Sequence, residues 1–102
     1  MPNPNYNKGA RLERLARLEL ERQGYAVIRA AGSKGACDLI ALNKHEILLI
    51  QVKAEGAVRP SDRRKLAAMP APGVAHREIW ERTREGSWRI HKVTVPVLGG
   101  WL

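Results

Sequence analysis

The sequence predicts a single α/β domain built on a mixed central β-sheet of about five strands flanked by helices. The first observation is a helical period: Leu12, Leu15, Ala16 and Leu20 recur at three- and four-residue steps ahead of Gly24. The second is a pair of short apolar runs, Cys37 to Leu42 and Glu46 to Lys53, joined by the turn material Asn43-Lys44-His45. The third is the order of elements along the chain, which reads helix, three strands, helix, two strands. That order suits a sheet covered by helices, with no repeat and no second domain in 102 residues.

Each element has a local reason. Residues 1–7 hold three Asn and two Pro and read as a flexible lead-in. The first helix runs from Lys8 to Gln23, with Gly24 ending it. Tyr25 to Ala31 is a strand of β-branched and apolar residues, and Gly32-Ser33-Lys34-Gly35-Ala36 is a loop. Ser61 to Met69 reads as a short basic helix stopped by Pro70, because proline cannot continue the hydrogen-bond ladder. Ile79-Trp80 and Trp88 to Val93 flank Arg84-Glu85-Gly86-Ser87 as a second hairpin. The apolar tail, residues 96–102 with Trp101 and Leu102, is expected to bury against the core or against a second subunit.

The first hairpin carries the chemistry. A tight antiparallel pair sets the start of one strand beside the end of the next, so Asp38, Gln51 and Lys53 converge at one end of the sheet. Period-two alternation puts Gln51 and Lys53 on the same face. On the first helix, Glu13 falls at the edge of the apolar stripe and Glu19 inside it, so both acids are candidates to point inward. Taken alone, Asp38 and Lys53 read as an ordinary surface ion pair worth about 0 to 1 kcal/mol.

Composition narrows the partners. Eighteen Lys and Arg against ten Asp and Glu give a formal net charge of +8, which favours a polyanion, nucleic acid first. No apolar run reaches the roughly 20 residues of a membrane span, and no signal-peptide core is present, so an intracellular, soluble protein is expected. Cys37 is the one cysteine, which rules out an intramolecular disulfide and a thiolate zinc site, and it is expected to pack as a small buried hydrophobe. His45, His76 and His91 lack zinc-site spacing and read as surface or DNA-facing groups. Trp80, Trp88 and Trp101 read as core or interface anchors.

Several segments together are more specific than any one of them. Lys8-Gly9 leading to Glu13-Arg14, then Gly24 to Ser33, then Asp38-Leu39-Ile40-Ala41 and Ile50-Gln51-Val52-Lys53, resemble the archaeal-type Holliday junction resolvases of the PD-(D/E)XK nuclease superfamily. The resemblance covers roughly residues 8 to 55 in register. It implies the restriction-endonuclease-like version of the α/β fold and a structure-selective DNA endonuclease that resolves four-way junctions by Mg²⁺-dependent paired hydrolysis, with Mn²⁺ as substitute. Carried over by position, it implies a site of Glu13, Ser33, Asp38, Gln51 and Lys53, with Arg14 and Arg29 nearby.

Asp38, the side-chain oxygen of Gln51 and the backbone carbonyl of Val52 would then hold the metal, with Glu13 taking a second ion or a metal-bound water. Lys53 would orient water or offset charge on the phosphate, and Ser33 would hydrogen-bond the phosphate. The departure is Gln51, where the family pattern has an acid. An amide there remains an oxygen donor but removes one negative charge, and Glu13 or Glu55 is the expected compensator.

DNA contacts are expected from Lys8, Arg11, Arg14, Arg29, Lys34, Arg59, Arg63, Arg64 and Lys65, aimed at phosphates and therefore selective for shape. A C₂ homodimer would place two sites on opposed strands of a two-fold junction. No small-molecule cofactor beyond the metal is expected. The alternatives are a general structure-specific repair nuclease and a junction-binding module whose catalysis has decayed. An RNA-binding protein is less well supported, since no aromatic RNP-type strand is present.

Overall fold

The computed structural model describes the backbone of residues 4–7 and all of residues 8–30 and 37–95. The elements are α1 (Pro4–Arg22), β1 (Ala26–Arg29), β2 (Leu39–Leu42), β3 (Ile47–Ala54), α2 (Pro60–Ala68), β4 (Ala75–Arg82) and β5 (Trp88–Val93). The five strands form one sheet in the order β1-β2-β3-β4-β5. All neighbours are antiparallel except β3 and β4, which run parallel over eight paired positions, Ile47↔Ala75 to Ala54↔Arg82. A parallel pair needs a crossover, and α2 supplies it. The predicted mixed five-stranded sheet with flanking helices is therefore what the chain forms.

Two boundaries differ from the sequence reading. α1 begins at Pro4, so residues 4–7 are helical and not a flexible lead-in. Proline suits the first turn of a helix, because its fixed φ is already helical and its missing N–H would have had no partner there. β4 extends back to Ala75, well before Ile79, because its parallel ladder with β3 continues as far as Ile47. Gly24 ends α1 as expected, at φ +98°, a conformation that only glycine adopts without strain.

Alternation along β3 sorts the core into two layers. Leu48, Ile50 and Val52 pack with Leu12, Ala16 and Leu20 of α1 and with Leu39, Ala41 and Trp80. Leu49 packs on the other side with Cys37, Leu66 of α2 and Ile79. Burying a side chain such as Leu20 or Ile50 is worth about 1.5 to 3 kcal/mol, so α1 is held by its stripe more than by its intrinsic propensity. Cys37 packs as the sequence suggested, and burial pushes its thiol up from the ordinary range. Trp80 is buried, and its ring lies 5.4 Å from that of Trp88, so both are core anchors. Among the described residues, no helix is long and apolar enough to cross a membrane. The tail, residues 96–102, lies outside the described residues.

This layering decides where chemistry can sit. β1 and the parallel pair β3 and β4 finish at one end of the sheet, while β2 and β5 start there. α1 brings its N-terminal half to that end on one face, and α2 begins there on the other.

Candidate active site

Asp38 sits just before β2, and its backbone N–H donates to Ile50 O at 2.8 Å. Leu39 is already paired with Ile50, so Asp38 and Leu39 both face that residue in a bulge, which sets Asp38 beside the Ile50–Val52 stretch of β3. The N–H of Val52 donates to Asp38 Oδ2 at 2.8 Å, which fixes the carboxylate. Burial raises the Asp38 pKa. The Val52 bond opposes that shift, Glu13 adds to it by repulsion, and Lys53 and Arg29 oppose it. Asp38 is thus an acid held in a partly dry place, within electrostatic reach of Glu13, Lys53 and Arg29.

Gln51 is the most telling group. Its Oε1 is, among the described residues, the one buried side-chain nitrogen or oxygen without a hydrogen-bond partner. A buried acceptor left in that state costs roughly 1 to 3 kcal/mol, so such atoms are rare unless something else binds them. An oxygen-seeking cation beside Asp38 would satisfy it. The described residues contain no group of three His, Cys, Asp or Glu side chains that could hold a metal. The donor set is therefore one carboxylate, one amide oxygen and backbone carbonyls. It fits a hard cation that keeps several of its waters, as Mg²⁺ does, and does not fit zinc.

The remaining predicted residues divide between the faces. Glu13 lies on the α1 side and accepts from Arg29 Nε at 3.2 Å. Glu13, Arg14, Arg17 and Arg29 line a cleft of about 190 Å³ there with Ala10 and Leu39. Glu19 does not point inward: Arg22 and Gln23, three and four residues on, hold it at the helix surface. Glu55 is also no compensator. β3 stops at Ala54, Gly56 turns the chain at φ +75°, and Glu55 pairs with Arg84 at 3.2 Å. Ser33 and Lys34 lie outside the described residues.

Lys53 and Gln51 project to the α2 side, where sequence reasoning missed three groups. Asp62 of α2 pairs with Lys53 at 3.2 Å. Glu81 of β4, level with Lys53 in the parallel register, is buried. It accepts from Gly56 N at 2.7 Å, and Arg89 lies 3.3 Å away. His91 is engaged here and is not a surface group: its Nε2 lies 2.8 Å from Glu81 Oε1 and its Nδ1 lies 3.2 Å from Arg63 Nη2. A guanidinium can only donate, so Nδ1 accepts and the ring proton is on Nε2, donated to Glu81.

These bonds, led by that from Gly56, hold the Glu81 carboxyl down to about 2. A depressed carboxyl contributes stability above its ordinary range, and the contribution is lost as pH falls through that range toward the folded value. Glu81→Gln is therefore expected to flatten the loss of thermal stability between about pH 5 and pH 2. Melting curves by circular dichroism at stepped pH check this, and an unchanged slope would show that the carboxylate is not pinned.

A larger depression of about 740 Å³, lined by Tyr25, Glu46, Leu48, Trp80 and Ile90 among others, lies at the opposite end of the sheet. It contains none of Glu13, Asp38, Gln51, Lys53, Asp62, Glu81 or His91.

A family model described as archaeal Holliday junction resolvase (Hjc) matches residues 4–65. The chain belongs to this family. The match runs from the first residue of α1 to within the crossover helix, so it includes Glu13, Asp38, Gln51, Lys53 and Asp62. A "Crossover junction endodeoxyribonuclease Hjc" of Methanocaldococcus jannaschii is 46% identical over 54 residues, covering 53% of this chain and 40% of that protein. The chain thus spans less than half the length of that Hjc relative. In structure, the chain is similar to the Hjc Holliday junction resolvase of Archaeoglobus fulgidus, with a TM-score of 0.71 and 28% identity over 84% of this chain and 73% of that one. The Hjc-like fold therefore extends beyond the residues that the family model matches.

Proposed function

We propose that this protein is a metal-dependent endonuclease that resolves four-way DNA junctions. The observation that carries the reading is the orphaned Oε1 of Gln51, a buried oxygen on the residue next to Val52, whose N–H holds the Asp38 carboxylate. Asp38, Gln51 and the carbonyl of Val52 would hold Mg²⁺, or Mn²⁺ in its place. The bound cation polarises a phosphoryl oxygen and lowers the pKa of an attacking water. The ammonium of Lys53, on the same face as Gln51, offsets negative charge that develops on the scissile phosphate. Glu13, tied to Arg29 on the other face, orients a water at the sheet end from the α1 side.

Phosphate contacts come from the two helices that border that end. Lys8, Arg11 and Arg14 on α1, and Arg63, Arg64 and Lys65 on α2, with Arg29 and Arg59, would supply them. Arg82, Arg84 and Arg89, at the ends of β4 and β5, extend the basic rim. Such contacts carry shape but no base sequence, and a C₂ pair of subunits would set two sites on opposed strands.

The test is cleavage of a labelled four-way junction beside a linear duplex of the same sequence, with Mg²⁺ and with EDTA. Metal-dependent, symmetric nicking of the junction alone is the expected result. Equal cutting of both DNAs would make the protein a general nuclease. The loss of the acid at Gln51 favours one further reading, a binding module without catalysis, which tight junction binding without cutting would establish.

A further inference from the structure

We infer that Asp62 is the positioning residue for Lys53, supplying from α2 the negative charge that the amide at position 51 withholds from this side of the sheet. The inference rests on the nuclease reading above. Where the family pattern has an acid two residues before the lysine, this chain has a neutral side chain, and a lysine without a counter-charge is a point cation on a flexible four-carbon stem. Asp62 removes that freedom. Its Oδ1 lies 3.2 Å from Lys53 Nζ, and the two side chains are only 13% and 25% exposed. Its Oδ2 accepts from the backbone N–H of Arg59 at 2.8 Å, so the carboxylate cannot turn away. A solvent-exposed pair fixes nothing of this kind.

The nearby acids are engaged elsewhere: Asp38 accepts from the N–H of Val52. Glu81 has its oxygens on Gly56 N, His91 and Arg89. The placement of Asp62 also follows from the local sequence: Pro60 opens α2, and the acid two residues later caps the first turn while its second oxygen faces β3.

Asp62→Asn tests this, because asparagine keeps the shape and an acceptor for the Arg59 N–H but loses the charge. In junction cleavage we expect kcat to fall by up to about 100-fold, the scale of a misplaced reacting group, with KM nearly unchanged. Asp62→Glu should recover part of the loss. In a Lys53→Met background the Asp62→Asn change should add nothing, since the two residues act as one unit. Multiplying effects, or an Asp62→Asn variant as active as wild type, would overturn the inference. Reductive methylation of the protein alone, read by mass spectrometry, needs no activity: Lys53 should react faster relative to the other lysines in Asp62→Asn than in wild type. If wild type cuts no junction, the nuclease reading fails and this labelling decides the ion pair, an unchanged Lys53 rate counting against it.

Discussion

Asp38→Asn is expected to lower junction cleavage by more than about 100-fold while leaving junction binding within a few-fold of wild type, the scale seen when one preorganised electrostatic group is removed from a reaction centre. The side chain is nearly isosteric, so the Val52 N–H keeps an acceptor and the sheet end keeps its shape. What goes is the charge of the carboxylate that is bound to the N–H of Val52, next to Gln51. In the proposed reading, phosphate contacts by the surrounding Arg and Lys residues would not depend on it, and such contacts dominate affinity for DNA. Burial also raises the Asp38 pKa, so the neutral variant relieves a desolvation cost and the metal-free protein should be no less stable than wild type. Gel-shift titration, single-turnover cleavage and thermal melting of the same preparation separate the three effects. A variant that still cleaves at the wild-type rate would remove Asp38 from the chemistry and leave the sheet end as a binding surface only.

How much of this was legible in the chain follows from the range of each interaction. Asp38, Gln51 and Lys53 belong to a hairpin whose strands are joined by only residues 43–46, so the short connection brings them to one end of the sheet. Their convergence required no knowledge of the rest of the fold. Glu13 was legible as a position on a helix, but its pairing with Arg29 was not, since that depends on how α1 lies across β1. Glu19 shows the opposite error. Helical projection put it among apolar residues, and a local pair with Arg22 drew it outward.

Asp62, Glu81 and His91 come from the crossover helix, the parallel strand and the strand after it. Nothing in a single sequence gives the offset that sets Glu81 level with Lys53, because parallel register is fixed by the packing of the intervening helix and not by a turn. Of the two expected compensators for Gln51, Glu13 is tied to Arg29 on the α1 side. Glu55 failed because the strand ended one residue too early, and the acid that does reach Lys53 sits nine residues downstream on another element.

Gln51→Glu should tighten divalent-metal binding by roughly 10- to 100-fold, about 1.4 to 2.8 kcal/mol, and should do so at the expense of the metal-free fold. Gln51 Oε1 already lies buried without a partner, so a carboxylate there meets no competing hydrogen bond. It does meet Asp38. Two neighbouring carboxylates cannot both ionise cheaply in a place where burial already raises one of them, so the pair should retain a proton and the metal-free variant should melt below wild type. A dication removes that repulsion. Its binding energy then appears as folding stability, so the rise in melting temperature on adding Mn²⁺ should be larger in Gln51→Glu than in wild type and absent in the Asp38→Asn, Gln51→Glu double variant. Calorimetric titration with Mn²⁺ gives the affinity directly. If the Glu variant cleaves junctions while wild type does not, the amide is what silences the site; if both cleave, the amide oxygen is a working ligand. Equal melting temperatures with and without Mn²⁺ in all three proteins would mean that Gln51 faces no metal and that its buried oxygen must be satisfied by water.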